Sequence, residues 1–336
     1  MNSKEYFSIK FENDELIFLD QTKLPNEEIY FKTKSYKRVA KAIEKLEIRG
    51  APLIGIAAAY GLALSIKKSS DQNIFLKAYE RLKNTRPTAV NLFYALNTIK
   101  LSFENANAKN DLYKVILNKA IELHNNDKNK CDLIGKNGLS IFHKKSTVLT
   151  HCNTGKFATG GDGTAFNVIK QAYKNNLVDF VYADETRPLL QGSRLTSYEL
   201  EKEKIPFAIL TDSSAASLFS SDNIDLVIVG ADRIAANGDT ANKIGTYNLA
   251  VLCHYHKKPF YIVAPSTTID SKLSSGDKIE IEYRNGKELF EINGRKFINK
   301  NLKTYTPAFD VTPSKLIKGI ITEKKIYEYP YNFINE

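Results

Sequence analysis

Apolar and polar positions alternate along residues 4–20, which is the two-residue period of a β-strand and predicts a small N-terminal hairpin. Apolar residues then recur three and four positions apart, for example in 35–43 and 91–103, which is the spacing of one helix face. The chain from about residue 36 is therefore predicted to be mainly helical. Together these patterns indicate an N-terminal domain, residues 1–143, that is helical and begins with a small β-hairpin.

After residue 145 short apolar runs alternate with helical segments. Uninterrupted apolar strands that alternate with helices are typical of a parallel sheet covered on both faces. The runs predicted as strands are 147–150, 180–183, 207–210, 226–229 and 260–263. The helices predicted between them are 163–175, 191–203, 213–220 and 243–256. Residues 144–336 are thus predicted to form a doubly wound, Rossmann-like domain, which puts the chain in the α/β class.

A late segment, residues 278–300, departs from this alternation. It contains Asn285-Gly286 and Asn293-Gly294, and asparagine-glycine pairs are favoured in two-residue hairpin turns. We therefore predict a small β appendage there.

Composition narrows the classes of function. The most apolar stretch, 51–66, is shorter than the roughly 20 residues that a membrane span requires, and it predicts a buried helix. The N-terminus lacks the order of a secretory signal, and three cysteines without paired spacing favour a reducing cytoplasm. The net charge is +10, but lysines are interspersed with glutamates, as in 199–204, and no RNA-binding signature appears. We expect neither a membrane nor a nucleic-acid partner, and the basic charge favours a phosphorylated substrate.

The candidate chemistry lies after the predicted strands. In open parallel sheets, ligands bind beyond the carboxyl ends of the strands. Polar or ionisable residues follow all five predicted strands, in segments 151–155, 184–187, 211–214, 230–233 and 265–268. This concentration predicts an active site at that edge of the sheet.

A glycine-rich run, residues 159–165, precedes a predicted helix, and backbone N–H groups at a helix start suit a phosphate. Asp184 follows at about the distance expected of a dinucleotide-binding motif, roughly 20 residues. However, Phe166 occupies the position of the third glycine in the dinucleotide-binding motif. The glycine-rich run also begins well after the end of the predicted strand 147–150, whereas a nucleotide-binding loop follows its strand directly. A dehydrogenase is therefore disfavoured.

Six motifs resemble those of methylthioribose-1-phosphate isomerases. They are 48–52 (IRGAP), 86–92 (RPTAVNL), 150–155 (THCNTG), 183–192 (ADETRPLLQG), 229–247 (from VGADRIAANGD to KIGTY) and 307–313 (PAFDVTP). They span nearly the whole chain in the family's order. The same superfamily contains the α, β and δ regulatory subunits of the translation-initiation exchange factor and ribose-1,5-bisphosphate isomerases.

The resemblance implies a cytoplasmic aldose–ketose isomerase of methionine salvage that acts on a phosphorylated pentose. It also implies a homodimer that uses no cofactor and no metal. Within the family's picture, Cys152 handles the proton at C2 of the sugar, and Asp232 is the general acid that protonates the ring oxygen. The structural alternatives are a buried thiol with no chemical role for Cys152 and a helix cap for Asp232.

The resemblance also implies a set of substrate-binding residues: Arg49, Gly50, Ala51, Arg86, Gln191, Asn242 and Lys243. A guanidinium suits a phosphate through two parallel hydrogen bonds, although a surface ion pair is the alternative for each arginine. Asn242 and Lys243 are predicted to open a helix, where an anion is favoured. For Gln191 the alternative is a polar residue that merely starts a helix. His151 has no role in this picture.

Two departures leave the 5-substituent of the sugar open. Asp212 is followed by Ser213 and Ser214, where the family has asparagine and methionine, and Lys156 and Asp162 stand where it has small or aromatic residues. A 5-deoxyribose 1-phosphate isomerase is therefore the alternative enzyme. A ribose-1,5-bisphosphate isomerase is less favoured, because its second phosphate would need a further cluster of cationic residues that the sequence does not show.

A non-catalytic regulatory subunit is the alternative outside the enzymes, and it predicts a non-catalytic residue at position 152 or 232. Proton transfer and hydride shift both remain open as mechanisms.

Overall fold

The computed structural model describes residues 6–86, 89–106, 111–292, 295–296 and 302–334. The chain packs as two compact units, the first comprising Met1–Leu133 with Thr154–Asn167 and the second Ile134–Asn153 with Val168–Glu336. The boundary between domains that the sequence predicts at residue 144 stays a prediction. It divides the chain once in sequence order, whereas the packing also places the later segment Thr154–Asn167 in the first unit. No helix among the described residues is both long and apolar enough to cross a membrane.

The first unit begins with a three-stranded antiparallel sheet, β1 (Ile9–Glu12), β2 (Glu15–Leu19) and β3 (Tyr30–Thr33). Between the first two strands, Asn13 and Asp14 both have positive φ, 51° and 58°, which is the backbone of a tight two-residue hairpin turn. The predicted hairpin is confirmed. The third strand was not predicted.

Five helices follow in the sequence: α1 (Tyr36–Glu44), α2 (Ala51–Ile66), α3 (Gln72–Lys83), α4 (Val90–Glu104) and α5 (Leu112–Asn137). The predicted helical character of this part is confirmed. Helix α2 is buried on almost every side, because its sequence is apolar all round rather than on one stripe. A Cβ on Gly55 would lie 2.6 Å from the carbonyl oxygen of Asn91, so glycine permits the close approach of α2 and α4.

A buried histidine connects these helices to the glycine-rich run. The Nε2 atom of His124 lies 3.1 Å from the carbonyl oxygen of Gly160, and its Nδ1 lies 3.0 Å from the hydroxyl of Tyr60. Because a carbonyl only accepts, Nε2 carries the proton and Nδ1 accepts from the tyrosine. The ring is therefore neutral, and burial lowers the pKa of His124 from 6.5 to about 4.

We expect this histidine to make the protein sensitive to acid. Between pH 6.5 and about 4 the unfolded chain binds a proton at His124 that the folded chain does not. The stability that the neutral ring confers is complete above pH 6.5 and falls by about 3 kcal/mol as the pH approaches 4. Urea unfolding at several pH values should show a flatter profile for His124→Gln than for the unsubstituted protein. Parallel profiles would contradict this assignment.

The second unit contains the remaining strands and most of the remaining helices. The strands are β4 (Ser146–Thr150), β5 (Val178–Asp184), β6 (Phe207–Leu210), β7 (Leu226–Val229), β8 (Arg233–Ala235), β9 (Thr240–Lys243), β10 (Phe260–Val263), β11 (Ile269–Asp270), β12 (Glu291–Ile292), β13 (Arg295–Lys296), β14 (Phe309–Thr312), β15 (Gly319–Ile321) and β16 (Ile326–Glu328). The helices are α6 (Ala165–Lys174), which starts at the end of the first unit, α7 (Ser197–Lys202), α8 (Ala215–Ser220), α9 (Thr246–Tyr255) and α10 (Lys287–Phe290). All five predicted strands are confirmed.

The main sheet has seven strands in the order β16-β15-β10-β7-β4-β5-β6, all parallel except β16. The chain adds strands outward from β4 to β6 and then returns to place β7 on the other side of β4. This reversal is the topological switch point of a doubly wound sheet, so the predicted fold class is confirmed. Strands β7 and β10 are buried at every position, as a sheet covered on both faces requires.

A second, four-stranded sheet in the order β11-β8-β9-β14 follows β7. The prediction that Asn242 and Lys243 open a helix is wrong, because both belong to β9 and pair with Asp310 and Phe309 of β14. Helix α9 begins later, at Thr246. The preceding residue, Gly245, has a φ of 105°, a left-handed backbone conformation that glycine adopts readily.

The late appendage differs in part from its prediction. Asn285-Gly286 is not a hairpin turn, because Gly286 has a φ of −55° and the side-chain oxygen of Asn285 accepts from the N–H of Lys287. That contact is a turn closed by the asparagine side chain, and it leads directly into the short helix α10. Strands β12 and β13 do form a two-stranded ladder, and Asn293-Gly294 between them lies outside the described residues.

Candidate active site

The switch point brings two predicted catalytic residues to the same edge of the main sheet. Strands β4 and β7 are hydrogen-bonded neighbours, and the hydroxyl of Thr150 donates to the carbonyl of Ile228 at 2.8 Å. Cys152 comes two residues after the end of β4, and Asp232 comes three residues after the end of β7. Crevices outside the carboxyl ends of strands at a switch point are the usual ligand sites of such sheets.

The backbone of Cys152 is held in an uncommon conformation. Its φ is 63°, and the residue is buried, with 8% of its surface exposed. Its N–H donates to the hydroxyl oxygen of Thr186 at 2.9 Å, and its carbonyl accepts from the hydroxyl of Thr196 at 2.5 Å. A positive φ at a non-glycine residue costs of order 1–3 kcal/mol and persists only where surrounding contacts enforce it. The two threonines provide those contacts.

Asp232 is half-buried and directly precedes β8 of the four-stranded sheet. Its N–H donates to the carbonyl oxygen of Ala241 at 2.9 Å, which ties it to the strand that carries Asn242. The alternative that Asp232 caps a following helix is wrong, because residues 233–235 form strand β8.

The first unit positions the predicted substrate arginine Arg49. The Nε of Arg49 donates to Oε1 of Gln21 at 3.2 Å, and Nε2 of Gln21 donates to the carbonyl of Phe157 at 2.9 Å. Gln21 is buried and was not identified from the sequence, since it lies 28 residues before Arg49 in a loop without a recognisable motif. It orients the guanidinium of Arg49 while holding the segment that contains Phe157.

Gly50 and Ala51 form the start of α2. Gly50 has a φ of 96°, and a Cβ there would lie 2.4 Å from Cα of Ala158, so only glycine fits. The N–H of Leu53 donates to the carbonyl of the same alanine at 3.1 Å. Arg86 is half-buried between α3 and α4, and its neighbours Pro87 and Thr88 lie outside the described residues.

Gln191 directly precedes a helical turn, Gly192–Thr196, that leads into α7. Its alternative interpretation as a residue at a helix start is therefore compatible with the structure. However, it is 5% exposed, and among the described residues its side-chain oxygen has no hydrogen-bond partner. A buried acceptor without a donor is costly unless a ligand supplies one. The adjacent Gly192 packs against Asp184, because a Cβ there would lie 1.6 Å from the Asp184 carbonyl oxygen.

Two expected anion sites at helix starts are occupied by the protein itself. The carboxylate of Asp310 accepts from the N–H of Gly245 at 2.7 Å and of Tyr247 at 3.1 Å, at the start of α9. In the glycine-rich run, Asp127 accepts from the N–H of Gly160 at 2.6 Å. Further along the run, the N–H groups of Thr164 and Phe166 donate to backbone and side-chain oxygens of Thr154. Phosphate binding by these amides is therefore not supported.

Asn242 and Lys243 present their side chains from a strand rather than from a helix. The amide of Asn242 donates to the hydroxyl of Thr246 at 2.9 Å. The ammonium of Lys243 lies 4.8 Å from the centre of the Phe309 ring. Both residues therefore reach their positions through β-pairing with a segment more than sixty residues later in the chain.

One cluster at this edge could hold a metal by residue type. His151, Asp184 and Asp212 bring potential ligand atoms within 4.8 Å of one another. His151 pairs with Oδ2 of Asp184, and the carboxylate of Asp212 accepts from the N–H groups of Thr186 and Arg187. The other carboxylate oxygen of Asp184, Oδ1, is buried and has no hydrogen-bond partner among the described residues. The cluster is therefore a hydrogen-bonded part of the site's framework. No role for His151 followed from the sequence.

Comparisons with known proteins show the family of this chain. The model of the initiation factor 2 subunit family matches residues 47–328. The methylthioribose-1-phosphate isomerase of Natranaerobius thermophilus is 48% identical over 328 residues, which cover 95% of this chain and 94% of that protein. This chain belongs to the methylthioribose-1-phosphate isomerase family. The protein of the same name from Caldicellulosiruptor saccharolyticus is also 48% identical, with 96% of each chain covered.

Solved structures of the family share the fold. The 5-methylthioribose 1-phosphate isomerase of Pyrococcus horikoshii OT3 has a TM-score of 0.91 at 40% identity, covering 98% of this chain and 94% of that one. A structure described as translation initiation factor eIF-2B subunit delta from A. fulgidus has a TM-score of 0.86 at 35% identity, with 97% of each chain covered. Because proteins named as enzymes and as translation factors share the fold, function must be argued from the site.

Proposed function

We propose that this protein is an aldose–ketose isomerase that converts S-methyl-5-thio-α-D-ribose 1-phosphate into S-methyl-5-thio-D-ribulose 1-phosphate in methionine salvage. Near-full-length identity of 48% to relatives named for this substrate supports the reaction. The observation that carries the proposal is the placement of Cys152 and Asp232 just beyond two neighbouring strands at the switch point. An isomerisation needs one group at the ring oxygen and another at C2, and these two residues provide an acid and a base.

The phosphorylated pentose is bound by the seven residues that the family resemblance implies. Arg49 and Arg86 neutralise the phosphate, since a guanidinium offers paired donors to two phosphate oxygens. Gly50 and Ala51 allow the backbone to approach the ligand closely. The remaining polar contacts to the sugar come from Gln191, Asn242 and Lys243.

Ring opening is the first chemical problem, because the phosphate on C1 prevents simple opening to a free aldehyde. Asp232 in its protonated form donates its proton to the ring oxygen as the bond from that oxygen to C1 breaks. The products of this step are the Asp232 carboxylate, a hydroxyl on C4 and a cationic C1 that still carries its phosphate. Fixed dipoles in a site closed to water stabilise such developing charge.

The hydrogen on C2 then has to reach C1. In the first route the Cys152 thiolate removes the C2 proton, and the electron pair forms a C1–C2 double bond. The thiol then returns that proton to C1, while the C2 hydroxyl gives its own proton to the Asp232 carboxylate and becomes a ketone. In the second route hydrogen moves from C2 to the cationic C1 with its electron pair, and the C2 hydroxyl then gives its proton to the Asp232 carboxylate and becomes a ketone. Both routes give the same ketose, and neither requires a cofactor or a metal ion.

A 5-deoxyribose 1-phosphate isomerase is the second candidate, and two departures from the family pattern favour it. Ser213 and Ser214 replace the asparagine and methionine of the family pattern, and both serines are exposed. The Lys156 ammonium also lies 3.3 Å from the Asp162 carboxylate, a charged pair where the family has small or aromatic residues. A site without the methionine loses an apolar, polarisable contact that suits a thioether.

The resemblance further implies a homodimer in the cytoplasm. Light scattering on the purified protein should then give twice the 37.9 kDa of one chain. The three cysteines, all free and buried, are consistent with a reducing compartment.

Turnover of the two sugars tests the proposal. Purified protein is supplied with methylthioribose 1-phosphate or 5-deoxyribose 1-phosphate, and ketose formation is followed. We expect kcat/KM to be higher for the methylthio sugar, and a preference for the deoxy sugar would establish the second candidate. No turnover of either sugar would overturn the enzyme proposal in favour of a regulatory protein.

An isotope experiment distinguishes the two routes of hydrogen transfer. Deuterium placed at C2 of the substrate should be partly lost to water in the proton-transfer route and fully retained at C1 in a hydride shift.

A further inference from the structure

His151 connects three segments of the site and is not used by the proposed chemistry. It directly precedes Cys152 at the end of β4, and its side chain is fully buried. Its Nδ1 lies 2.7 Å from Oδ2 of Asp184 at the end of β5. Its Nε2 lies 2.9 Å from the carbonyl oxygen of Ile244, which follows Asn242 and Lys243.

We infer that His151, held by Asp184, is a positioning residue that fixes Cys152 relative to the substrate-binding end of β9. This inference rests on the proposed function and adds to it a residue that orients both the base and the substrate contacts. Because both ring nitrogens are engaged by protein oxygens, the imidazole acts through its neighbours rather than on the substrate.

The hydrogen bonds define which protons the ring carries. The Ile244 carbonyl only accepts, so Nε2 is protonated, and Nδ1 shares a proton with the Asp184 carboxylate. Burial lowers the pKa of His151, but the hydrogen bond and charge of Asp184, the charge of Asp212 and the hydrogen bond to the Ile244 carbonyl together raise it above its usual value. Asp310 also interacts electrostatically with the ring. Asp184, Asp212 and Asp310 are thus the charged groups that face the ring, and an imidazolium makes both contacts as donors.

The Cys152 side of this connection is equally constrained. The hydroxyl of Thr186 donates to the backbone carbonyl of Asp184 at 3.1 Å and accepts from the N–H of Cys152 at 2.9 Å. Asp184 therefore contacts the catalytic cysteine through Thr186 and contacts His151 through its carboxylate. Any shift of this aspartate moves the cysteine backbone as well.

The β9 side of the connection also has little room to move. A Cβ on Gly245 would lie 2.9 Å from Cε1 of His151, so the turn packs directly against the imidazole. Asp310 holds the same turn through the N–H groups of Gly245 and Tyr247. The ring therefore sets the distance between the cysteine and the strand that carries Asn242. Misplacement of a reacting group by about 1 Å can cost on the order of 100-fold in rate.

Two substitutions separate the two contacts of the ring. Asparagine resembles the Nδ1 side of histidine, so His151→Asn keeps a donor for Asp184 and loses the Ile244 contact. Glutamine reaches the Nε2 position, so His151→Gln keeps the Ile244 contact and leaves Asp184 without its partner. We expect His151→Asn mainly to raise KM and His151→Gln mainly to lower kcat, each by about 10-fold to 100-fold. His254→Gln, at an exposed histidine on α9, is the matched control and should leave both constants unchanged.

Two further measurements distinguish positioning from a purely structural role. The double variant His151→Gln with Asp184→Asn removes the unpaired buried charge, so we expect it to recover Tm relative to the single variant while kcat stays low.

The second measurement is the rate at which iodoacetamide alkylates Cys152, assigned by peptide mass. This rate should change by more than about threefold in His151→Gln and not in His254→Gln, because a shifted cysteine backbone alters access to the thiol. This thiol measurement does not require turnover, so it tests the inference even if the proposed function fails. Unchanged kcat, KM and alkylation in both single variants, or recovery of kcat together with Tm, would overturn it.

Discussion

Cys152→Ser is expected to lower kcat by about 1,000-fold while the protein keeps its fold. A serine hydroxyl fills nearly the same space and preserves the backbone contacts of Cys152 to Thr186 and Thr196. It is a far weaker base than a thiolate, and a positioned acid or base typically contributes about 100-fold to 10,000-fold to a rate. Steady-state rates of ketose formation and thermal unfolding of the same preparation provide the measurement.

The matched control for this substitution is a second buried cysteine. Cys253 lies on α9 in the hydrophobic core of the second unit and is 1% exposed. Cys253→Ser should therefore lower Tm without changing kcat of the folded fraction. Equal losses of kcat in the two variants, or full activity of Cys152→Ser, would remove the assigned role.

Asp232→Asn has the second largest expected effect. The amide is isosteric with the carboxyl group but cannot transfer a proton to the ring oxygen, so we expect kcat to fall by about 100-fold to 10,000-fold. Substrate affinity should change little, because binding is assigned to other residues, and calorimetric titration with methylthioribose 1-phosphate measures this directly.

A control for Asp232→Asn is available on the surface. Asp277 is exposed in the segment after β11, and Asp277→Asn changes the net charge by the same amount. It should retain full activity. If Asp232→Asn kept kcat and lost only affinity, the carboxyl group would be a binding group rather than the acid.

The strands, and the edge of the sheet at which the candidate site lies, could be predicted because their signals are local. Runs such as Leu226–Val229 are apolar at every position, which only a strand buried on both faces requires. The rule that ligands bind beyond strand ends at a switch point then places segments 151–155 and 230–233 at one edge of the sheet. The catalytic roles of Cys152 and Asp232 within these segments come from the family resemblance and stay predictions. The same rule could not assign a function to His151, since its two partners, Asp184 and Ile244, are 33 and 93 residues away in the sequence.

The failures arose where distant pairing overrides a local pattern. Asn242 and Lys243 precede a helix and look like its first turn, but β14 pairs with them from residues 309–312. The amides at the start of α9 then bind Asp310, whose position no local pattern indicates. At Asn285 the error was different, because an asparagine side chain can accept from a backbone N–H just ahead of a helix as readily as it can enter a hairpin turn.

The central claim is that the thiol of residue 152 and the carboxyl of residue 232 act on one bound sugar. A crystal structure of the Cys152→Ser variant with methylthioribose 1-phosphate bound is the most direct test. We predict the hydroxyl of the new serine within about 3.5 Å of C2 and a carboxyl oxygen of Asp232 within hydrogen-bonding distance of the ring oxygen. A sugar bound with either group out of reach of its assigned atom would contradict the claim.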